Sequence, residues 1–130
     1  MDKKYVELFR DLAQATAVAA EQVMEYDKSQ GEDEAFEAAK LMRDRYQELA
    51  ENLNTHGENY QLKKTDVAEL LIASVTQQTQ IEERIGNLRK ALVGYQTDVT
   101  PKLQKILDAA NDDNDAANLA NENFILEDNK

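Results

Sequence analysis

The chain of 130 residues contains no cysteine and no tryptophan, one proline, four glycines and one histidine. Each scarcity removes a class of protein. Without cysteine there is no disulfide framework, thiolate metal site or thiol nucleophile, and the composition suits a reducing compartment, so the expected location is cytoplasmic. With His56 as its only histidine, the chain cannot supply the two Glu-x-x-His motifs of a di-iron helical bundle, and any Ser-His-Asp arrangement would depend on that one side chain beside Gly57. There is no glycine-rich phosphate loop. Long apolar runs are missing too: Glu7, Arg10 and Asp11 interrupt the N-terminal segment, and no stretch reaches the roughly 18 apolar residues of a membrane span.

What is present is charge and periodicity. Charged residues make up 32% of the chain and hydrophobic ones 42%, rich in Ala, Leu, Glu, Gln and Lys, which is the mixture of an all-α protein. The formal net charge is −11, and residues 108–130 hold seven acids against one Lys, leaving −5 on the first 107 residues. This balance opposes nucleic-acid binding, which needs clustered Lys and Arg to displace counterions. Lys63, Lys64, Arg84, Arg89 and Lys90 are interleaved with acids and have no aromatic platform.

Three helices follow from the spacing of apolar residues. Tyr5, Phe9, Leu12, Thr16, Ala19, Val23 and Tyr26 alternate in steps of four and three, placing them on one face of a first helix. Gly31 suits the left-handed stop, and Glu32, Asp33 and Glu34 suit the start of the next helix. Phe36, Ala39, Met42, Tyr46, Leu49 and Leu53 repeat the pattern in a second helix that ends near Gly57. Asp66, three residues before Glu69, has the spacing of a capping box and marks the start of a third helix. Val67, Leu71, Ser74, Gln78, Ile81, Ile85, Leu88, Leu92, Tyr95 and Val99 then keep a 4-3 alternation that predicts one continuous rod over residues 67–99. Thr100 and Pro101 read as an N-cap and first position of a short fourth helix ending near Ala110, although the spacing of Val99, Leu103 and Ile106 also fits one long helix bent at Pro101.

The expected architecture is therefore an antiparallel up-down helical bundle of three long helices and a short fourth over residues 1–110, with a flexible, partly disordered acidic tail over 111–130. Ser74 and Gln78 place a polar layer in an otherwise apolar seam, a device that can set register or simply face an open bundle end. If the third helix outruns its intramolecular cover, Ile85, Leu88, Leu92 and Tyr95 form a contact face for a second copy or another protein. The tail segment from Asn111 to Glu122 misses a calcium loop at its first position and at Ala116, where glycine is required. Phe124, Ile125 and Leu126 form an apolar cluster that either packs back on the bundle or docks on a partner.

No catalytic, metal or cofactor residues are expected. The function that fits is association with a protein partner or with a second copy, without enzymatic activity. Two alternatives have the same sequence basis: an acidic decoy that neutralises a basic or nucleic-acid-binding partner, and a small-ligand-binding bundle with a site near Ser74 and Gln78.

Overall fold

A computed structural model describes residues 1–76 and 95–125, and these are all-helical: five α-helices, one 3-10 turn and one π-helical turn. Helix α1 spans Lys3–Ser29, α2 Asp33–His56, α3 Lys64–Thr76, α4 Thr100–Ala109 and α5 Asp113–Asn123. Asp2 caps α1 by accepting from the Lys4 N–H at 2.9 Å. The α1 end forms a double closure around Gly31. The Gly31 N–H donates to the Lys28 carbonyl at 3.2 Å and the Glu32 N–H to the Asp27 carbonyl at 2.9 Å, which requires the positive φ of 70° that Gly31 adopts. The chain then folds back, and α2 packs along α1 with Asp33 and Glu34 in its first turn, where the helix dipole favours acids.

Helix α2 ends at Gly57, also at positive φ, and the 3-10 turn Gly57–Asn59 leads to Tyr60. Helix α3 begins two residues before the expected Asp66. Asp66 lies in its first turn, and its carboxylate reaches back to accept from the Lys63 N–H at 2.9 Å and the Tyr60 hydroxyl at 2.7 Å. The capping chemistry read from Asp66 is present, but Asp66 is the residue that reaches back rather than the cap itself.

The start of α4 departs from the reading of Thr100 as an N-cap. Val99 is already helical (φ −74°, ψ −47°), and the π-helical turn Tyr95–Val99 runs directly into Thr100. Thr100 is thus inside the helix and its hydroxyl serves another purpose. The wider turn before Pro101 accommodates a residue that lacks an N–H and whose ring crowds the preceding turn.

After Ala110, where a flexible acidic tail was expected, the chain forms α5. Asp112 accepts from the Asp115 N–H at 2.8 Å, and the Asp115 carboxylate accepts from the Asn111 N–H at 3.1 Å, a reciprocal cap built only from acids. Ala116, Ala117 and Ala120 are buried, and Phe124 is wholly buried against Tyr5 and Phe9, with ring centroids 4.9 and 5.2 Å away. The Asp2 N–H donates to the Phe124 carbonyl at 3.4 Å. Burying one aromatic ring outweighs the polar character of its neighbours in sequence, because a Phe side chain contributes about 1.5–3 kcal/mol on full burial.

Among the described residues, the main core cluster lies at one end of the α1–α2 hairpin. It takes Tyr5 to Ala17 from α1 and Tyr46 to Leu53 from α2, joins them to Leu62, Val67, Leu70 and Ala73, and closes with Leu103, Ile106 and Phe124. Among the described residues, none from 18 to 45 belongs to that cluster.

Candidate functional site

Residues 18–45 form an arm: the distal part of α1, the Gly31 turn and the first half of α2. Its internal packing is thin, with Ala19, Ala20, Met24, Asp27 and Ala39 as its buried residues. The apolar stripes of both helices continue into the arm but lose their cover there. Val23 and Tyr26, expected on the core face of the first helix, are 42% and 64% exposed, and Met42 on the second is 37% exposed. Leu41 is 65% exposed.

These residues share a side. At about 100° per residue, Val23 and Tyr26 lie on the flank of α1 opposite Arg10, Gln14 and Glu21, while Leu41 and Met42 lie on the flank of α2 opposite Gln47. Arg10, Gln14, Glu21 and Gln47 line one groove between the two helices. Leu41 lines the other groove, where α3 meets α2 nearer the core. The arm thus presents a two-helix apolar face in line with the α2–α3 contact.

Acids outnumber bases on the distal part of the arm. Residues 21–37 hold seven acids and one Lys, a net −6, so the −5 spread over the first 107 residues in the sequence reading is concentrated here. Glu21, Glu25, Glu32, Asp33, Glu34 and Glu37 are exposed, and none pairs with a cation among the described residues. Asp27 is buried at the turn, and its carboxylate makes no hydrogen bond or ion pair among the described residues. The nearby guanidinium groups are engaged: Arg43 with Asp44 at 2.9 Å, and Arg45 with Glu69 on α3.

The Arg45–Glu69 pair belongs to a clasp that fixes α3 on α2 at the root of the arm. The Tyr46 hydroxyl donates to the Glu69 carbonyl at 3.3 Å. Burial pushes the Tyr46 phenol up to about 12, with the Glu69 charge adding to the rise and Arg45 opposing it. Glu69 is raised mainly by burial, and the charges of Asp66 and Glu48 add to that rise, while Arg45 opposes it. Tyr60 is raised by burial and then by its hydrogen bond to Asp66. No group of three His, Cys, Asp or Glu side chains among the described residues is arranged to hold a metal ion. His56 closes α2 and stacks on Tyr60, with ring centroids 6.1 Å apart.

Of the residues singled out from sequence, Ser74 is buried and hydrogen-bonded between helices rather than facing an open end. Its hydroxyl donates to the Leu71 carbonyl at 3.0 Å and accepts from the Thr100 hydroxyl at 3.0 Å. Phe124 packs into the core and Ile125 is half exposed. Gln78, Ile85, Leu88, Leu92 and Leu126 lie outside the described residues, as does the middle of the expected rod over 67–99. Tyr95 opens the π-helical turn, and its side chain is also outside the described set. The arm was missed because periodicity shows which side of a helix is apolar but not how far along its length another element lies on it. A charge sum restricted to residues 21–37 would have drawn attention to it. No described helix is long and apolar enough to cross a membrane. No protein-family model, curated protein or solved structure matches this chain.

Proposed function

We propose that this chain acts without enzymatic activity, through protein–protein association, with the α1–α2 arm as its contact surface and the packed end of the hairpin as the platform that holds it. The observation that carries this reading is the pair Tyr26 and Leu41, both about two-thirds exposed on helices whose apolar stripes are buried nearer the core. Large apolar side chains left exposed on a stretch with few buried residues mark an interaction surface, because their exposure to water is a cost that only a covering partner removes. A cytoplasmic location accompanies this reading through the lack of cysteine. Self-association through Ile85, Leu88, Leu92 and Tyr95 remains the form of the proposal drawn from the sequence pattern, and the described surface adds the arm to it.

The test is site-specific photo-crosslinking in cells, with a photo-reactive phenylalanine derivative replacing Tyr26 on the arm or, as control, Lys105 on the exposed side of α4. Discrete intermolecular adducts from position 26 that are absent from position 105 support the reading. Adducts confined to residues 77–94 of the same chain, or the same diffuse pattern from both positions, overturn it.

The acidic-decoy reading is favoured by one observation, the −6 concentrated on residues 21–37. It differs from the first in requiring charge alone, so loss of the apolar side chains would leave binding intact.

A further inference from the structure

Building on the arm as a contact surface, we infer that its occupant is a basic amphipathic helix of another protein, laid between α1 and α2 with its apolar seam on Val23, Tyr26, Leu41 and Met42. The shape argument comes from the face itself. Val23 and Tyr26 are three residues apart on α1, and on α2 the exposed Ala35 and Ala38 continue the line of Met42, so small side chains leave room for a third rod to approach closely. A helix set in such a groove presents apolar anchors at three- and four-residue spacing, which matches a face made by two helices better than a strand, since the described residues offer no sheet edge.

The charge argument identifies the flanks of that helix. Glu34 and Glu37 border the face on α2 and Glu32 and Asp33 lie at the turn beside it, while Glu21 and Glu25 lie on the opposite flank of α1; all six are exposed, with no cation paired to any of them among the described residues. Lys28 and Lys40 are the remaining basic residues of this stretch, since Arg43 and Arg45 are already held by Asp44 and Glu69. A like-charged or neutral helix would leave this repulsion in place, whereas Lys and Arg on either side of an apolar seam relieve it and speed encounter.

The probe is a synthetic amphipathic peptide of about 18 residues, roughly 27 Å of helix, with Leu along one stripe and Lys or Arg elsewhere. Its counterpart carries Glu at every basic position. Binding to the full chain is read by fluorescence anisotropy. The inference expects the basic peptide alone to bind, with affinity falling about tenfold or more between low and high salt as the screening length shortens. Glu32→Gln, Glu34→Gln and Glu37→Gln together are expected to weaken binding about tenfold. Glu7→Gln, Glu51→Gln and Glu58→Gln, which change the net charge equally on exposed residues outside the arm, are expected to weaken it less than about twofold. Leu41→Glu, on a side chain outside the core, is expected to abolish binding while leaving the melting temperature unchanged. Equal loss from the two charge sets, full binding by Leu41→Glu, or no binding of the basic peptide at about 100 μM overturns the inference. Failure here combined with position-26 adducts to a neutral or acidic partner leaves the association reading standing, so the two are separable.

Discussion

The Thr100 hydroxyl donates to the Ser74 hydroxyl at 3.0 Å, and Ser74 donates onward to the Leu71 carbonyl at the same distance. Two polar residues that look out of place in their own helices therefore satisfy each other across the α3–α4 contact. A buried hydroxyl is tolerable only when partnered, so the pair holds α3 and α4 at one relative height. Ser74→Ala is expected to destabilise by about 1–2 kcal/mol in urea unfolding, because it leaves the Thr100 hydroxyl without its acceptor. Ser74→Ala combined with Thr100→Val should cost less than the sum of the two single changes, by about 0.5–1 kcal/mol. Strict additivity would show that the hydroxyls are not coupled.

Phe124 lies beyond the last residue of α5, where an unstructured tail was expected, yet it is wholly buried against Tyr5 and Phe9. Phe124→Ala is expected to cost about 3–5 kcal/mol, a large part of the stability of a domain this size. Chemical denaturation measures it. A change below about 0.5 kcal/mol, the range of an ordinary surface substitution, would place the ring outside the core.

Glu69 gives the α2–α3 clasp a pH dependence whose sign follows from its raised pKa. The folded protein disfavours the charged carboxylate relative to the unfolded chain. The contribution of Glu69's ionisation to stability is therefore least favourable once pH has risen through the folded value, and it becomes more favourable as pH falls toward the unfolded value near 4.5. Glu69→Gln removes this term together with the Arg45 ion pair. Its stability should match or exceed that of the parent at pH 7, and the advantage should shrink steadily on acidification. A parent protein that loses stability relative to Glu69→Gln as pH falls would contradict the assignment.

Tyr46 titrates at the opposite end of the scale. Its phenol is pushed up to about 12 while an unfolded tyrosine titrates near 10, so the neutral form is favoured in the fold. That contribution is complete below pH 10 and is lost as pH rises through about 12, amounting to at most about 2–3 kcal/mol. Tyr46→Phe keeps the ring and removes the titration. Between pH 10 and 12 the gap between the parent and Tyr46→Phe should close or invert, and a constant gap would show that the phenol does not titrate with folding.

The sequence reveals the helices where local chemistry and periodicity agree. Gly31 and Gly57 mark turns because only a left-handed residue closes those helix ends, and the stripes from Tyr5 to Thr16 and from Tyr46 to Leu53 are buried as their spacing requires. Helix α5 was hidden for a physical reason. Its cap is an Asp112–Asp115 pair within a run that resembles a loop, and its buried stripe is made of alanines, which carry little hydrophobic signal. Thr100 was misread because a hydroxyl before proline suits a cap, whereas its partner is a serine 26 positions away in sequence. The arm is the subtler case. Val23 and Tyr26 keep the same period as Phe9 and Leu12, and only the tertiary arrangement shows that the core ends between them.

That division of the hairpin has a dynamic consequence. The amides of α1 from Tyr5 to Ala17 belong to a segment whose side chains are locked between α2, α3, α4 and Phe124, so they open only when the core does. Those beyond Glu21 are held by a two-helix contact with Met24, Asp27 and Ala39 as its buried residues, and two isolated helices of this length have little stability of their own. Amide hydrogen exchange followed by mass spectrometry should therefore show residues 22–40 exchanging through local opening, about tenfold or more faster than residues 5–17. Gly31→Ala should widen that difference, because the positive φ at the turn is strained for any residue with a Cβ, while the exchange of residues 5–17 stays unchanged. The basic peptide that binds the wild-type arm should reverse the effect by slowing exchange within 22–40 alone. Uniform protection along the whole of α1 without any ligand would mean that the arm is as firmly built as the core and has no need of a partner.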